Sequence, residues 1–386
     1  MAETETRQAF EPMTDREGNP VPPLTAIYFY PTERCNLRCP HCWVDPEWVK
    51  TPEAYAEKFT GDRAEISVES FQRIVKEAKP LGLGRVKFTG GEPMLRPDLE
   101  DFFRALSEEG IRYDIETNGT LVDDARARAL KETGCFHVAL SLDSPEPSFH
   151  DRFRGVEGAW KKTVEGVEHL KRHGHNIQLI MILSRDNEDQ LEPMVRFAKD
   201  LGVTSLKINP VTPGGRGKGY FEKKGLPVKR LIELLPKAEK EWTEKYKFRV
   251  IFSLPIAFHS FDDIANNRIG RCHILNIIGL LSDGSVSICG IGKTEPSLVA
   301  GVAGGTPLET IWKEGAVFQS LRKNLPKKLG GACKSCIFKG TCMGYCVANS
   351  YTTKGDLFGG YWLCEQANIN GSFPESRKSL FFRNKK

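Results

Sequence analysis

Three cysteines near the N-terminus are close enough in sequence to hold a metal cluster. Cys35, Cys39 and Cys42 form a C-x3-C-x2-C run directly after the first predicted strand. Three thiolates on one tight loop can bind three corners of a [4Fe–4S] cluster, which leaves the fourth iron without a ligand from the run. Such an iron can bind a substrate or a cofactor. A structural zinc loop with a distant fourth ligand, such as His41, is the alternative that the spacing leaves open.

A second group of cysteines lies in the C-terminal third of the chain. Its members are Cys272, Cys289, Cys333, Cys336, Cys342, Cys346 and Cys364. Seven thiols are more than one tetrahedral ion needs and nearly enough for two iron–sulfur clusters. A zinc ribbon, the alternative, would use four of them and leave three idle. Cys135 stands alone and is predicted to be a small buried apolar residue.

Composition limits the class of protein and the compartment. A net charge of +5, from 55 basic and 50 acidic side chains in 386 residues, predicts neither a nucleic-acid partner nor a membrane surface. No apolar run reaches the ~18 residues that a membrane span needs. The first residues are polar and partly acidic, unlike an export signal. We therefore predict a soluble cytoplasmic protein, in which clustered thiols are metal ligands rather than disulfides.

The elements that must position these cysteines alternate between strand and helix. Short apolar runs bounded by Gly, Pro, Asp or Asn predict strands at 24–30, 85–89, 111–116, 136–142, 177–183 and 203–209. Helical patterns separate them, as where Phe71, Ile74 and Val75 share one helix face. About six such cycles predict an α/β fold with parallel strands in a partial or full barrel. Asp283-Gly284, between two apolar runs, predicts a later hairpin.

Polar motifs follow three of the predicted strands. They are Gly90-Gly91-Glu92-Pro93, Glu116-Thr117-Asn118-Gly119, and Ser141-Leu142-Asp143-Ser144, which is followed by Arg152 and Arg154. Taken singly, these segments read as a turn, a strand cap and solvated arginines. Their order along successive strand ends favours a shared site, because reactive groups collect at that edge of a parallel sheet.

Over residues 24–217 the chain resembles the radical S-adenosylmethionine (SAM) superfamily, in the cysteine run, in Trp43 just after it, and in the motifs at the strand ends. The resemblance implies a partial (β/α)6 TIM-like barrel. It also implies that the open iron binds SAM and that a 5′-deoxyadenosyl radical removes a hydrogen atom from the substrate. The SAM-binding residues that it implies are Gly90, Gly91, Glu92, Pro93, Glu116, Asn118, Ser141, Arg152 and Arg154.

The C-terminal cysteines resemble the SPASM extension of radical SAM enzymes that modify peptides and proteins. The resemblance implies one auxiliary cluster on Cys272, Cys289 and Cys346. It implies a second on Cys333, Cys336, Cys342 and Cys364. Because residues 273–288 contain no cysteine, the first auxiliary cluster is expected to have an iron without a thiolate. That iron is open to a substrate atom or water, or is closed by an unrecognised ligand.

These motifs predict an order of domains along the chain. The predicted parts are an N-terminal extension (1–23), a radical SAM core (24–217), a helical bridge (218–265), a SPASM domain (266–370) and a C-terminal tail (371–386).

The leading functional interpretation is a radical SAM oxidoreductase that matures a ribosomally made peptide or a protein, for example by a thioether or carbon–carbon crosslink. The expected partners are that substrate, a separate leader-recognition protein and a flavodoxin- or ferredoxin-like reductant. Only about 23 residues precede the first strand, so we expect a leader to be bound by a separate recognition protein or by the core enzyme itself. A small-molecule substrate, such as a tetrapyrrole or a sugar, is the alternative within the class. An iron–sulfur electron carrier and a zinc-stabilised binding module are alternatives outside it. No general acid or base is assigned; Tyr28 and Tyr30, at the first strand end, either face the substrate or only pack.

Overall fold

The computed structural model describes residues 12–59, 65–266 and 269–379. Its strands, in chain order, are β1 (Met13–Thr14), β2 (Pro20–Val21), β3 (Ala26–Phe29), β4 (Arg34–Cys35), β5 (Glu47–Trp48), β6 (Arg85–Phe88), β7 (Arg112–Thr117), β8 (Cys135–Ser141), β9 (Ile177–Leu183), β10 (Ser205–Pro210), β11 (Arg249–Phe252), β12 (Ile277–Leu280), β13 (Ser285–Ser287) and β14 (Val299–Val302). The six predicted core strands therefore lie within a few residues of β3, β6, β7, β8, β9 and β10.

The helices cover the outer face of the sheet and build the C-terminal part. They are α1 (Pro52–Phe59), α2 (Val68–Ala78), α3 (Leu99–Glu108), α4 (Asp124–Glu132), α5 (Pro147–Arg154), α6 (Ala159–Arg172), α7 (Leu191–Asp200), α8 (Gly217–Lys224), α9 (Val228–Pro236), α10 (Thr243–Tyr246), α11 (Phe261–Ala265), α12 (Leu308–Glu314), α13 (Ala316–Asn324), α14 (Gly331–Ser335), α15 (Lys339–Cys342), α16 (Val347–Lys354) and α17 (Trp362–Ile369). In the part of the chain that the structure describes, no helix has the length and apolar character needed to cross a bilayer.

One continuous sheet forms the centre of the molecule. Its strand order is β11-β10-β9-β8-β7-β6-β3-β12-β13-β14, parallel from β11 through β12 and antiparallel from β12 to β14. Each core strand is followed by a helical segment that returns the chain to the same edge, as parallel pairing requires. The predicted α/β partial barrel is therefore confirmed, and so is the hairpin at Asp283-Gly284, which joins β12 to β13.

The sheet extends beyond the predicted core on both sides. β11 lies within the segment predicted to be a helical bridge, and it pairs with β10 from Ser205↔Arg249 to Ile208↔Phe252. β12, from the predicted SPASM domain, pairs with β3. Residue 217 is therefore not a break in the sheet, and the apolar core runs continuously from the barrel into the C-terminal part. The predicted N-terminal extension and C-terminal tail lie partly outside the described residues.

The helix α6 braces the loop that follows β7. Thr163 Oγ1 donates a hydrogen bond of 2.8 Å to the carbonyl oxygen of Asn118. One turn further on, a Cβ atom at Gly166 would lie only 2.5 Å from the carbonyl oxygen of Gly119. The absence of a side chain at Gly166 therefore sets how closely α6 approaches the end of β7.

We expect Gly166→Ala to destabilise the protein although alanine favours a helix. The added methyl group overpacks the contact with the Gly119 carbonyl and should lower the free energy of unfolding by about 1–3 kcal/mol. Gly219→Ala in α8 is the matched control, because nothing lies within 4 Å of its Cβ position; it should raise stability by up to about 1 kcal/mol. Urea denaturation followed by circular dichroism compares the two variants, and equal stability changes would contradict the packing role.

Candidate active site

The first three cysteines lie together on the loop after β3. Cys39 is buried, Cys35 and Cys42 are partly buried, and all three are free thiols. Burial, together with the neighbouring Cys39, raises the pKa of Cys42 to about 11. The pKa of Cys35 is also raised by burial, then by Glu92 and Cys39. Three neighbouring thiolates are unfavourable in such a site unless positive charge offsets them, and iron supplies that charge. The donor set therefore fits an iron–sulfur cluster.

The same site does not have the form of a single-ion site. Among the described residues, no group of three or more His, Cys, Asp or Glu side chains is placed to hold one metal ion. A cluster binds each thiolate through a different iron, so its ligands stand further apart than those of one zinc ion. His41 is buried and stacks on Phe153 at 4.1 Å between ring centroids. The zinc alternative gains no support from this geometry.

The glycine motif after β6 packs against the backbone that leads into Cys35. Gly91 N–H donates to the carbonyl oxygen of Thr32 at 3.2 Å, and Glu92 N–H donates to that of Arg34 at 2.7 Å. A Cβ atom at Gly91 would lie 2.1 Å from the Arg34 oxygen. Gly90 has φ +115°, a conformation that favours glycine. Glycine is therefore required here by the close approach of two loops.

Glu92 joins this motif to the end of β7. Its buried carboxylate accepts hydrogen bonds from Thr117 Oγ1 at 2.6 Å and from Asn118 N–H at 2.7 Å. Burial raises the pKa of Glu92, although these hydrogen bonds act in the opposite direction. Asn118 Nδ2 donates in turn to Asn36 Oδ1 at 2.8 Å and lies 4.0 Å from Cys35 Sγ. Three successive strand-end loops thus form one hydrogen-bonded network around the cysteine run.

Arg154 links the cysteine run to the end of β8. Its Nε and Nη2 atoms donate to the carboxylate of Asp143 at 2.6 and 2.9 Å, and its Nη1 lies 3.8 Å from Cys39 Sγ. Asp143 is fully buried and also accepts from Ile182 N–H at 2.9 Å. Burial alone would raise the pKa of Asp143, but Arg154 and His150 lower it overall. The guanidinium thus brings positive charge to the buried thiols.

The C-terminal cysteines gather into two sets. Cys272, Cys289 and Cys346 line the same cavity. Burial raises the pKa of Cys289, and the neighbouring Cys346 and Cys272 also raise it. The other set lines one small cavity and consists of Cys333, Cys336, Cys342 and Cys364. Burial, together with the neighbouring Cys333, raises the pKa of Cys342 to about 12. The structure therefore brings these residues together in the same two sets that the SPASM resemblance implies.

A left-handed turn divides the two sets. Met343, Gly344 and Tyr345 have φ values of +53°, +84° and +64°. For residues other than glycine this conformation costs roughly 1–2 kcal/mol each. It reverses the chain between Cys342 and Cys346, so that two thiols four residues apart join different sets. Such strain persists only where the surrounding structure compensates it, and it is typical of functional sites.

A cavity of about 370 Å³ connects the first cysteine loop with one of the C-terminal sets. Tyr28, Tyr30, Trp43, Tyr345 and Tyr361 contribute aromatic rings to its walls. His41, from the first cysteine loop, and Cys272, Cys289 and Cys346 also line it. The set of four cysteines lies outside it. A ligand in this cavity would therefore contact the loop of Cys35–Cys42 and the set of three cysteines at once.

Residues 29–198 match the sequence profile of the radical SAM superfamily. This segment of the chain is a radical SAM domain. The chain is 26% identical to an AdoMet-dependent heme synthase of Methanosarcina barkeri over 344 residues, which cover 84% of this chain and 91% of the relative. It is 28% identical to a PqqA peptide cyclase of Ruegeria pomeroyi over 343 residues, which cover 87% of this chain and 86% of the relative.

Solved structures share the fold of this radical SAM enzyme. Streptococcus suis SuiB bound to precursor peptide SuiA superposes with a TM-score of 0.69 at 18% identity, over 90% of this chain and 76% of SuiB. The anSMEcpe enzyme with bound AdoMet and a peptide superposes with a TM-score of 0.68 at 18% identity, over 89% of this chain and 94% of anSMEcpe. A radical SAM domain implies a [4Fe–4S] cluster and SAM. It makes the chain an enzyme, so the electron-carrier and zinc-module alternatives are set aside.

The residues predicted to bind SAM have different surroundings in the structure. Glu116 lines the cavity, and Ser141 is the last residue of β8. Glu92 and Asn118 form hydrogen bonds that connect neighbouring loops, and Arg154 is bound to Asp143. Arg152 is exposed on α5, with its guanidinium 6.0 Å from the centre of the Phe149 ring, and its contact with SAM stays a prediction.

Sequence reasoning missed several residues of the site. The sequence motifs include Asp143 but assign it no role, and by sequence Lys87 and Lys207 are only members of apolar strands. Alternation along a strand is the signal that could have found the lysines, since both occupy inward positions. Cys135, as predicted, is buried apart from the cysteine sets.

We expect Asp143→Asn to be strongly destabilising, because it leaves Arg154 buried without its carboxylate. The expected loss is about 3–5 kcal/mol in the free energy of unfolding, measured by urea denaturation. The stabilisation by Asp143 is fully present above the ordinary aspartate pKa of 3.8 and disappears as the pH falls through its lowered value.

Asp101→Asn is the matched control for this change. Asp101 pairs with Arg104 on the exposed side of α3, where both side chains are about half exposed to solvent (50% and 56%). Solvent screens such pairs, so the control should change stability little. If the two variants were equally stable, the buried pair would not be what holds the loop of Cys39.

Proposed function

We propose that this radical SAM oxidoreductase modifies a side chain of a peptide or protein in the cavity between the Cys35–Cys42 loop and the set of Cys272, Cys289 and Cys346. The shared cavity is the observation that carries the proposal. When bound, the [4Fe–4S] cluster and SAM supply hydrogen-atom abstraction from the substrate. The chain itself positions the reacting groups, and its aromatic walls exclude water from them.

The three sets of cysteines would hold three clusters. Cys35, Cys39 and Cys42 would hold the cluster that binds SAM, and Arg154 would offset negative charge at Cys39. The set of four cysteines has a complete thiolate shell for one auxiliary cluster. The set of three lacks a fourth thiolate, and it lines the cavity. We therefore infer that this auxiliary cluster has an iron accessible from the substrate side, whereas the four-cysteine cluster serves electron transfer or stability.

Two observations support a peptide or protein substrate. The cavity volume of about 370 Å³ lies at the low end of the range for small-molecule sites, roughly 300–1,000 Å³, and it must also receive part of SAM. It therefore suits one side chain better than a large rigid molecule. Whole-length similarity to PqqA peptide cyclase agrees with this interpretation. Under this proposal a leader-recognition protein and a flavodoxin- or ferredoxin-like reductant are partners, and the cytoplasm is the compartment.

A tetrapyrrole is the second candidate substrate. Relatives named AdoMet-dependent heme synthase match the chain over most of their length, at 91% of the Methanosarcina barkeri protein and 89% of the Oleidesulfovibrio alaskensis protein. A tetrapyrrole could insert one peripheral arm into the cavity while its ring stays outside. Both candidates therefore require a narrow substrate group to reach the same place.

We expect the anaerobically reconstituted protein to contain about 12 irons and to release 5′-deoxyadenosine from SAM with a strong reductant. Cys39→Ala should lower the iron content to about 8 and abolish 5′-deoxyadenosine, because it removes one ligand of the SAM cluster. Cys135→Ala, at a buried cysteine outside all three sets, should change neither quantity. Iron analysis and chromatography measure both. An iron content unaffected by Cys39→Ala would contradict the assignment.

We expect substrate to stimulate 5′-deoxyadenosine formation, and this distinguishes the two substrate classes. The probes are the PqqA peptide and Fe-coproporphyrin III, each added to the reduced holoenzyme with SAM. Stimulation by the peptide, with a mass change in it, supports the leading proposal. Stimulation by the tetrapyrrole alone would overturn it in favour of the second candidate.

A further inference from the structure

The interior of the barrel contains a ladder of charged side chains. Side chains at alternate positions of a strand point to the same face, so the inward residues of neighbouring strands form layers. In the lower layer, Arg85 on β6 pairs with Asp114 on β7 at 2.5 Å. In the next layer, Lys87 on β6 pairs with Glu116 on β7, and both residues line the cavity. Each of these cations has its own carboxylate.

Lys207 on β10 adds a further positive charge to the upper layer. β10 is separated from β7 by β8 and β9, which along a flat sheet would be about 14 Å. Lys207 nevertheless interacts electrostatically with Glu116 and with Lys87. It therefore faces them across the interior of the curved sheet. Two residues further along β10, Asn209 lines the cavity.

The charges in this layer do not balance. Glu116 is already bound by Lys87 and accepts a hydrogen bond from Thr89 Oγ1 at 3.1 Å. Among the described residues, the Lys207 ammonium has neither an ion pair nor a hydrogen bond. Burial lowers the pKa of Lys207, and Lys87 lowers it further. Burial likewise lowers the pKa of the nearby His137, which is therefore neutral at pH 7 and adds no charge. Two cations thus share one carboxylate beside an otherwise apolar cavity.

A partly buried cation without a counter-ion is unfavourable, and an isolated lysine on a barrel strand has no structural need for its charge. The sequence pattern by itself is consistent with a lysine on a solvated surface of the sheet. It does not explain why this ammonium faces the Lys87–Glu116 pair from the opposite side of the barrel. The cavity begins at Lys87, Glu116 and Asn209, next to Lys207, so an anion of a ligand there would lie close to this ammonium.

We propose that Lys207, beside the Lys87–Glu116 pair, binds a carboxylate group of the substrate. The proposal rests on the function proposed above and narrows it, because the substrate group that enters the cavity would be acidic. The acid could be an aspartate or glutamate side chain of a peptide, or a carboxylate arm of a tetrapyrrole. In either case the ammonium would position the carbon chain next to the carboxylate for reaction.

The test compares two small probes of equal shape that differ in charge. Phenylacetate and phenylacetamide are the probes, because both are small compared with a cavity of about 370 Å³. Calorimetry of the anaerobic holoenzyme gives their dissociation constants. The wild-type protein should bind the acid at least about tenfold more tightly than the amide. Lys207→Met should remove this preference, and Lys207→Arg should retain it. Lys171→Met is the matched control, because Lys171 is a partly buried lysine on the outer helix α6, and it should retain the preference.

Two results would overturn the proposal. The first is a wild-type protein that binds the acid no better than the amide, or not at all. The second is a Lys207→Met protein that keeps the acid preference but loses affinity for SAM, since Lys207 would then serve the cofactor. Binding is measured without turnover. Failure to form 5′-deoxyadenosine would therefore refute the proposed function, whereas the binding result for Lys207 would not depend on it.

Larger probes show whether the carboxylate belongs to a peptide or to a tetrapyrrole. As with the small probes, an acidic form is compared with its neutral counterpart. A glutamate-containing PqqA peptide is compared with its glutamine counterpart, and Fe-coproporphyrin III with its tetramethyl ester. The pair for which the wild-type protein prefers the acid, and Lys207→Met does not, identifies the source.

Discussion

The structure depends on the cost of burying thiols side by side. Each cysteine set contains groups whose ionisation is opposed by burial and by the neighbouring sulfurs. A thiolate shell of this kind is stable only when a positive charge is bound within it. The protein supplies a small part of that charge through Arg154, and iron would supply the rest. The surrounding loops are therefore built for rigidity, since a ligand shell that relaxed would lose its cluster.

Rigidity comes from contacts between strand ends rather than from any single loop. Gly91 allows the loop after β6 to touch the backbone before Cys35. Glu92 ties that loop to Asn118, and Asn118 reaches Asn36 inside the cysteine run. Because parallel strands end at one edge, loops distant in sequence become neighbours there. The cysteine run is thus held by the sheet, although it contains little regular structure of its own.

Much of this could be predicted from the sequence, because the features involved are local. Apolar runs and helical periodicity placed the six core strands within a few residues, and cysteine spacing separated the first loop from the later sets. The addition of β11 and β12 to the sheet could not be predicted, since both are short strands that pair with partners far away in sequence. Arg152 and Arg154 have the same local signal, yet one is exposed and the other bound to Asp143. Their difference is set by the helix face of α5 that each occupies.

The interior lysines show the same limit most clearly. In Arg85–Phe88 and Ser205–Pro210, a lysine among apolar residues is typical of a strand with one solvated face. Only the curvature of the sheet turns that face inward, towards the cavity, and brings β10 opposite β7. Charge that would be unremarkable on an open sheet then becomes confined beside aromatic walls. It follows that the electrostatic selectivity proposed for this cavity is a property of the curved sheet, since no single strand determines it.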